Sequence, residues 1–479
     1  MSPYRNYNSG DVLTSVLKYI SFILFCFSSN LSFGQSNQQK PNLIIILADD
    51  LGYGDLGIQG SKQIPTPHID QLAKEGVVFT AGYVSSPVCS PSRAGLLTGK
   101  NQLSFGYNNN IGPDQPGFDP EFKGLPVSEK TLADKLKSLG YATGLIGKWH
   151  LGDKPQFHPT KRGFDQFWGF LAGGHDYFQA QMDGNEMQSP IQCNFKNVTP
   201  VTYLTEDIGN ESVDFIKRNK HNPFFLFASF NAPHAPMQAL DDDLKLFSSV
   251  QDELRRTYCA MVYRLDINVG KILNSLRQEG LEKNTFIVFL SDNGGPSVDP
   301  ISNGSVNAPF RGQKTTLLEG GIRVPFIFKW PEQFQAGKKI DHMIWSLDIC
   351  PTFIVAAGGT ISDKDNYRGI NLIPFITGLQ KTAPHESMEW AYTVSTAIRE
   401  GDWKLISLPD RLPLLYNIAE DIAEQNDVSM KNIKRTNAML KKLGDWGIQL
   451  PHPVFLEPSS WRIRHLKFYD SKYQLVQPN

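Results

Sequence analysis

The sequence predicts an α/β fold in which helices cover both faces of a large sheet. Four apolar runs show no alternation of polar and apolar residues, which is typical of strands buried on both faces of a largely parallel sheet. These runs are residues 42–48, 141–146, 223–230 and 285–290. Helical patterns separate the runs at residues 129–139, 207–218 and 254–278. The alternation of strands and helices indicates a doubly covered sheet.

The pattern changes after Gly378, where short candidate strands precede one candidate helix. The strands are residues 392–399, 403–407 and 414–417, and the helix is residues 430–443. This order predicts a small antiparallel sheet with one helix. We therefore expect three parts: residues 1–35, a large domain at 36–380 and a smaller subdomain at 381–479. The last stretch, 444–479, is irregular in pattern, but its aromatic residues predict that it packs back on the protein.

Residues 1–35 have the features of a secretory signal peptide. Arg5 and Lys18 precede an apolar run at 20–27, and small or polar residues follow up to Gln35. The run is too short to span a bilayer comfortably, so we predict export to the periplasm or the medium, with a retained signal anchor as the alternative. No later segment is long and apolar enough to cross a membrane, so we predict a mature chain without a transmembrane anchor.

Charge and cysteine content narrow the classes of function. The 479 residues have a formal net charge of −1 and no run of Lys or Arg. This composition excludes an electrostatic footprint for nucleic acid, so an anionic substrate must be held by a local site. Of five cysteines, Cys26 would leave with the signal peptide. With Cys89 reserved for chemistry, the remaining three can form at most one disulfide, so the core must stabilise the exported protein. These three are Cys193, Cys259 and Cys350.

The stretch from Cys89 to Gly99 predicts a short helix with a cysteine at its N-terminus. Ser90 is a good N-cap, Pro91 suits the first helical position and Gly99 suits the C-terminal cap. Unpaired N–H groups and the helix dipole favour an anionic group beside Cys89, and Arg93 adds a fixed positive charge. The stretch therefore predicts a place to bind an oxyanion next to a nucleophile.

Carboxylate and amide side chains follow two of the buried runs. Asp49 and Asp50 come directly after the first run, and Asp292 and Asn293 come just after the fourth. Ligands of α/β folds collect at the carboxyl ends of the strands. Four oxygen ligands from two strand ends suit Ca²⁺ or Mg²⁺ and suit zinc poorly.

Basic and imidazole side chains follow the other two runs. Lys148 and His150 come after the second run, and His234 comes after the third. A lone residue of these types is usually a satisfied core or surface residue. Here a single sheet would deliver all three to the edge that carries the acidic residues, which favours a functional site.

The motif Cys-x-Pro-x-Arg, followed by Ala-Gly-Leu-Leu-Thr-Gly, resembles the signature of the type I sulfatases, and the similarity covers nearly all the mature chain. In that family a maturation enzyme oxidises the cysteine to Cα-formylglycine. The resemblance implies an alkaline-phosphatase-like fold, with a large, mostly parallel mixed sheet between helices and a smaller C-terminal subdomain of antiparallel sheet and helix.

The resemblance also implies a role for each matched residue. Formylglycine from Cys89 is the nucleophile and contacts a divalent cation, usually Ca²⁺ with Mg²⁺ as the alternative. The other residues that hold the cation are Asp49, Asp50, Asp292 and Asn293. Arg93 stabilises the hydrated aldehyde, and Lys148 and Lys314 hold sulfate oxygens. His150 is the base that triggers sulfate elimination, and His234, with help from Lys314, donates a proton to the leaving oxygen.

The resemblance to sulfatases that act on saccharides rests on residues 158–165 and 169–177. Within them Arg162, His175 and Asp176 are candidates for contacts with sugar hydroxyls or a neighbouring anionic group, and maintenance of the fold is the equal alternative for each. We predict a sulfated polysaccharide or its oligosaccharides as substrate. The alternatives are a small aryl sulfate, a phosphodiester or phosphonate ester hydrolysed with the same apparatus, and ligand binding without turnover.

Overall fold

The computed structural model describes residues 1–3, 40–180, 189–199 and 201–478. Residues from Lys40 onward belong to one unit of the fold. The predicted signal peptide, with Cys26, lies outside the described residues except for residues 1–3. The proposed boundary near residue 380 stays a prediction.

The strands of the main sheet include all four predicted apolar runs. In chain order the strands are β1 (Asn42–Ala48), β2 (Val77–Phe79), β3 (Gly82–Tyr83), β4 (Ala142–Lys148), β5 (Gln166–Phe170), β6 (Gln192–Cys193), β7 (Lys196–Asn197), β8 (Phe224–Ser229), β9 (Thr285–Ser291), β10 (Phe326–Lys329), β11 (Lys338–Ile340) and β12 (Ile344–Trp345). Among the described residues, ten of them form one sheet in the order β11-β2-β10-β9-β1-β8-β4-β5-β6-β7, and β3 pairs with β12.

The centre of the main sheet is parallel and its flanks are mixed. Strands β9, β1, β8, β4 and β5 run parallel, whereas β10 is antiparallel to both β9 and β2. In the register, Ala48 of β1 lies opposite Ser291 of β9. Since both strands end there, the residues that follow them emerge side by side at one edge. The predicted mostly parallel, mixed sheet is confirmed.

Both faces of the sheet are buried. Alternate residues of β1 belong to two different hydrophobic clusters: Leu43, Ile45 and Leu47 lie in one, and Ile44 and Ile46 lie in the other. This is the expected result of the two-residue side-chain period of a strand covered on both sides. The absence of polar alternation in the sequence therefore has a direct structural cause.

Helices supply the two covering layers. In chain order they are α1 (Pro67–Lys74), α2 (Cys89–Thr98), α3 (Leu132–Ser138), α4 (Leu204–Asn219), α5 (Asp241–Leu246), α6 (Glu253–Gln278), α7 (Glu319–Ile322), α8 (Ile349–Ala356), α9 (Ile373–Ile376), α10 (Ile433–Gly447) and α11 (Ser459–Lys467). The helix predicted at 129–139 begins later, because Thr131 and Asp134 form a capping box that fixes its start.

The predicted C-terminal sheet is antiparallel and has four strands among the described residues: β13 (Ser387–Tyr392), β14 (Ser395–Glu400), β15 (Trp403–Ser407) and β16 (Leu414–Asn417). Where one strand was expected at 392–399, the chain forms a hairpin that turns between Tyr392 and Ser395. Helix α10 packs on this sheet through Met439 and Leu443.

The tail is more regular than its sequence suggested. It contains α11 and a 3-10 turn at Phe468–Asp470, and the side chains of Phe468 and Tyr469 are buried. The prediction that the tail packs back on the protein is confirmed. All the described cysteines are free, so none of the disulfides allowed by the sequence forms among them. No helix in the described ranges combines the length and hydropathy needed to cross a membrane.

Strand β4 lies so close to β8 at Gly147 that a side chain would not fit there. Its φ is 113°, and a Cβ placed on it would overlap the backbone oxygen of Ser229. Gly140 also has a positive φ, 86°, but a Cβ there would meet nothing within 4 Å. We expect Gly140→Ala to lower the free energy of unfolding by about 1 kcal/mol and Gly147→Ala by at least about 3 kcal/mol. Thermal unfolding of both variants measures the difference, and equal losses would contradict the assigned approach.

Candidate functional site

The acidic residues predicted to meet at one edge of the sheet do meet there. Asp49 and Asp50 follow β1, and Asp292 and Asn293 follow Ser291 at the end of β9. The backbone N–H of Asp50 donates to Asp292 Oδ1 over 3.3 Å, and Asn293 Nδ2 donates to Asp50 Oδ1 over 2.6 Å. All four side chains are buried. Asp50 has a positive φ of 65°, a conformation that is uncommon for residues other than Gly.

Two lysines neutralise this acidic edge from different sides. Lys148, the last residue of β4, donates from Nζ to Asp49 Oδ2 over 2.6 Å. Lys314, in the loop before α7, donates to Asp50 Oδ2 over 2.8 Å. His234 lies nearby, with Nε2 3.6 Å from Asp50 Oδ2. The structure therefore brings Lys148, His234 and Lys314, which come from three separate segments, to the acidic residues and so forms one cluster.

Helix α2 places Cys89 against the acidic edge. The Sγ atom of Cys89 lies 3.4 Å from Asp49 Oδ1. The helix begins at Cys89 after Val88, so the prediction that Ser90 is the N-cap was wrong. Ser90 Oγ instead donates to the backbone oxygen of His150 over 2.7 Å and lies 2.7 Å from the Tyr107 hydroxyl. The Ser90 side chain thus joins distant segments and does not cap the helix.

Arg93 forms the buried centre of the cluster. Its Nε donates to Asp292 Oδ2 over 2.9 Å, and its NH1 donates to Ser229 Oγ over 2.6 Å and to the Lys148 carbonyl over 3.1 Å. Ser229, at the end of β8, was missed from the sequence. Its only signal was its position as the last residue of an apolar strand that leads into the site.

His150 and the segment 173–175 face the cluster from the other side. His150 has a positive φ of 57°, and any side chain at Gly173 would collide with its ring. Among the described residues, neither ring nitrogen makes a well-formed hydrogen bond. Burial chiefly, with the charges of Lys148 and Arg93, holds the pKa of His150 well below 6.5, and the backbone of Ile111 only partly opposes this shift. The imidazole is therefore neutral at neutral pH and available to accept a proton.

The pKa values of two carboxylates are shifted in the way expected for a buried cation site. Burial and then the charge of Asp49 raise the pKa of Asp292 to about 6, despite the guanidinium of Arg93. Burial also acts against ionisation of Asp50, but Lys314, His234 and Lys148 together lower its pKa to about 2. A group of acids that repel one another in a buried site favours a bound cation.

The donor set fits a divalent cation. One potential ligand atom each from Asp49, Asp50, Cys89 and His234 lies within 4.8 Å of the others. Asn293 Oδ1 is buried and has no hydrogen-bond partner among the described residues, which suits a ligand aimed at a metal. The oxygen-rich part of this set, with Asp292 beside it, is chemistry that Ca²⁺ or Mg²⁺ prefers. The identity of the ion stays a prediction.

Arg162 and His175, two candidates for sugar contacts, are both buried but differ in their hydrogen-bond partners. Arg162 is buried, and its guanidinium donates to the backbone oxygens of Leu125, Pro126 and Glu129. These contacts fasten a loop, so the prediction of Arg162 as a substrate contact receives no support. His175 is also buried and bonds to the Asp176 backbone oxygen over 2.6 Å, while its Nε2 has no partner among the described residues.

A cavity of about 390 Å³ opens onto the cluster. Asp50, His234 and Lys314 line one side of it. The C-terminal tail, which the sequence predicted to pack on the protein but did not place at the site, lines another side. The lining residues of the tail are Glu457, Trp461, Arg464, His465 and Phe468. The tail was missed because its place depends on contacts with residues more than 300 positions earlier in the chain, such as the bond from the Asn110 N–H to Glu457.

Comparison with known proteins identifies the family. The family model described as Sulfatase matches residues 41–359, more than half of the chain. The chain belongs to the sulfatase family. A second model, described as N-sulphoglucosamine sulphohydrolase, C-terminal, matches residues 312–445.

Individual proteins that are similar to this sulfatase-family chain are also named as sulfatases or are matched by their structures. Human N-acetylgalactosamine-6-sulfatase is 37% identical over 352 residues, which is 70% of this chain and 66% of that protein. The chain thus spans just under two thirds of the relative's length. Mouse arylsulfatase J is 32% identical over 406 residues, 78% of this chain and 65% of that protein. The crystal structure of Ps i-CgsB in complex with k-i-k-neocarrahexaose superposes with a TM-score of 0.81 at 37% identity, covering 90% of this chain and 98% of the other.

Cation binding to this sulfatase-family chain should be visible as thermal stabilisation. At about 100 times Kd, a cation that binds only the folded state adds about 2.7 kcal/mol to the free energy of unfolding. We expect CaCl₂ to raise Tm by several degrees, EGTA to reverse the rise, and Asp292→Asn to abolish most of it. Asp242→Asn, at an exposed carboxylate of α5, is the control and should leave the rise intact. A Tm that ignores Ca²⁺ and Mg²⁺, or a rise that Asp292→Asn leaves unchanged, would contradict the cation site.

Proposed function

We propose that this protein hydrolyses sulfate esters by means of a formylglycine nucleophile generated from Cys89 and a bound divalent cation. The observation that carries the proposal is the position of Cys89, which lies at the start of α2 and 3.4 Å from Asp49, in a cluster of buried charges. A sulfate group beside residue 89 would meet the two lysines of the cluster, Lys148 and Lys314.

The environment of Cys89 argues against a role for the thiol itself. Burial raises the pKa of the thiol far above its usual range, Asp292 and Asp49 add to the shift, and Lys148 and Lys314 oppose it without cancelling it. A thiol that stays protonated at neutral pH is a weak nucleophile. Conversion to formylglycine supplies an aldehyde, and addition of water to it gives two hydroxyl groups on one carbon. One hydroxyl attacks sulfur and displaces the ester oxygen, which leaves with a proton as an alcohol. The other, once deprotonated, expels sulfate and restores the aldehyde.

His150 is suited to the deprotonation. It is buried and neutral, and its backbone oxygen is tied to helix α2 through Ser90, which holds it beside the start of the helix that carries residue 89. A neutral imidazole in a dry site accepts a proton without first having to lose one. We therefore assign His150 as the base of the second step.

The lysines and His234 would act on the sulfate ester. Burial opposes charge on Lys314, but Asp50 and the other neighbouring acids raise its pKa above the usual value, so it stays charged and able to hold a sulfate oxygen. Burial, Lys148 and Lys314 lower the pKa of His234 to about 3. An anionic ester next to the ring would raise that pKa again, which suits proton donation to the leaving oxygen in the bound state.

We infer that the substrate is a sulfated saccharide, most simply a sulfated polysaccharide or its oligosaccharides. The inference is supported by the likeness to Ps i-CgsB, whose crystal structure contains k-i-k-neocarrahexaose, and to N-acetylgalactosamine-6-sulfatase. The open cavity beside the cluster, about 390 Å³ in volume, offers room for at least one ring next to the ester. Export through the N-terminal signal and maturation by a formylglycine-generating enzyme complete the proposal.

The formylglycine step can be tested on one peptide. We expect the tryptic peptide with residue 89, from protein made with a maturation enzyme, to show the mass loss for replacement of the thiol by an aldehyde. The same preparation should release sulfate from sulfated glycans, and Cys89→Ala should release none. Cys259→Ala, at a buried cysteine outside the cluster, is the matched control for loss of a thiol. An unmodified thiol in protein that releases sulfate at full rate would contradict the formylglycine mechanism.

A further inference from the structure

The tail after residue 445, beyond both family matches, forms one wall of the cavity at the candidate site. Helix α11 contributes Trp461, Arg464 and His465 to this wall. Lys314 and His234 line the same cavity from the side of the sheet. A substrate whose ester reaches the cluster would therefore have the rest of its structure next to α11.

The chain before α11 is fixed to the protein by buried contacts. The Glu457 carboxylate is 1% exposed and accepts hydrogen bonds from the Asn110 N–H and the Tyr392 hydroxyl, each over 2.9 Å. Asn109 Nδ2 donates to the Phe455 backbone oxygen over 3.0 Å. The start of the helix is thus tied to the loop that follows α2.

The chain after α11 is fixed as well. The backbone N–H of Leu317 donates to the Tyr469 hydroxyl over 2.9 Å, and Arg311 donates to the Tyr469 backbone oxygen over 2.6 Å. The loop at Asn110 also contacts the helix of the nucleophile, since the Ser90 N–H donates to Asn110 Oδ1 over 2.9 Å. The wall is held at both ends and has a fixed position relative to residue 89.

Arg464 differs from the cations of the cluster because no carboxylate pairs with it among the described residues. It is exposed, whereas Arg93, Lys148 and Lys314 are each within 3 Å of an acidic oxygen. Two acids line the same cavity: Glu457 is already committed to Asn110 and Tyr392, and Asp50 is paired with Lys314. A free guanidinium on a cavity wall is suited to the planar, two-pronged binding of a carboxylate or sulfate.

Trp461 supplies an apolar surface next to this charge. The indole is half-buried and lies against the backbone at Gly112, where an added Cβ would be 3.4 Å from its Cζ3 atom. His465 on the same wall is neutral at neutral pH, because burial and the charge of Arg464 lower its pKa to about 4. The wall therefore presents one aromatic face and one positive charge, a combination that fits an anionic sugar.

We propose that Trp461 and Arg464 form a subsite for the part of the substrate beyond the sulfate ester that is cleaved. Trp461 packs on a sugar ring, and Arg464 binds a second anionic group, a sulfate or a carboxylate, on that ring. This subsite rests on the proposed sulfatase function and narrows its substrate class to oligosaccharides with at least two anionic groups.

The test compares two cations of the same helix in the fully matured protein. Arg464→Ala removes the cavity-lining charge, and Lys467→Ala removes an exposed charge three residues later that does not line the cavity. The substrates are disaccharides with the scissile sulfate on one ring and a sulfate, a carboxylate or only hydroxyls on the other, together with 4-nitrophenyl sulfate.

We expect Arg464→Ala to lower kcat/KM by about 10- to 100-fold on a disaccharide with a second anion, the range of a charge-assisted hydrogen bond. It should leave kcat/KM on the neutral-neighbour disaccharide and on 4-nitrophenyl sulfate unchanged, as Lys467→Ala should on all substrates. A loss confined to the sulfate arm or to the carboxylate arm identifies the second anion. No loss, or an equal loss on every substrate, would overturn the subsite.

Trp461 is tested by Trp461→Ala against Trp461→Phe, which keeps an aromatic face. We expect the alanine variant to raise KM for every disaccharide and the phenylalanine variant to restore most of the binding. Thermal unfolding checks that the variants are folded.

Binding of the same disaccharides to Cys89→Ala protein, with and without Arg464→Ala, is measured by calorimetry. If the matured wild type releases no sulfate, the proposed function fails, whereas this binding comparison still decides whether Arg464 recognises the second anion.

Discussion

The structure around the site depends on the mutual neutralisation of three carboxylates and three cations in a buried place. The carboxylates are Asp49, Asp50 and Asp292, and the cations are Arg93, Lys148 and Lys314. Removing one partner from a buried pair leaves an uncompensated charge, at a cost of about 3–5 kcal/mol. Because the six groups come from three strands, a helix and a loop, their pairing fixes these elements relative to one another. The sheet edge, the helix of Cys89 and the loop of Lys314 are therefore set in position before any substrate arrives.

In the proposed function, the same charges would couple cation binding to substrate binding. Lys148 and Lys314 donate to the oxygens of Asp49 and Asp50, which are also the oxygens that suit a divalent cation. A cation held by those carboxylates would compete with the two ammonium groups, which could then turn towards the oxygens of a sulfate. A site that is formally neutral thereby gains positive charge where an anion must bind. The arrangement explains why basic and acidic residues are paired so closely in a place that has to accept an anionic ester.

The sequence predicted the features that are local and missed those that depend on distant contacts. The buried strands and the acidic residues at their ends could be predicted, because a run such as 42–48 records burial on both faces of a sheet in its own composition. The Ser90 cap was wrong because its hydroxyl bonds to Tyr107 and His150, which the local pattern does not reveal. For Arg162, substrate contact and maintenance of the fold were equal alternatives, and its guanidinium donates to backbone oxygens of a neighbouring loop, which favours the second. The roles of the site residues rest on family resemblance and stay predictions.

The tail shows why specificity is harder to read from a sequence than chemistry. Most residues of the cluster follow strands or begin a helix, and such positions leave a local signature at residues such as Asp49 or Cys89. A wall that recognises the remainder of a substrate needs only to lie near these groups. Many different contacts can hold it there, so its position leaves no local pattern in the sequence. Here the Glu457 carboxylate and the Phe455 backbone hold the start of the wall through Asn110 and Asn109, and Asn110 in turn contacts the first turn of helix α2 at Ser90. Because the proposed chemistry lies on the sheet and the wall lies on the tail, we expect substitutions on α11 to change which saccharide is accepted without disturbing the paired charges of the cluster.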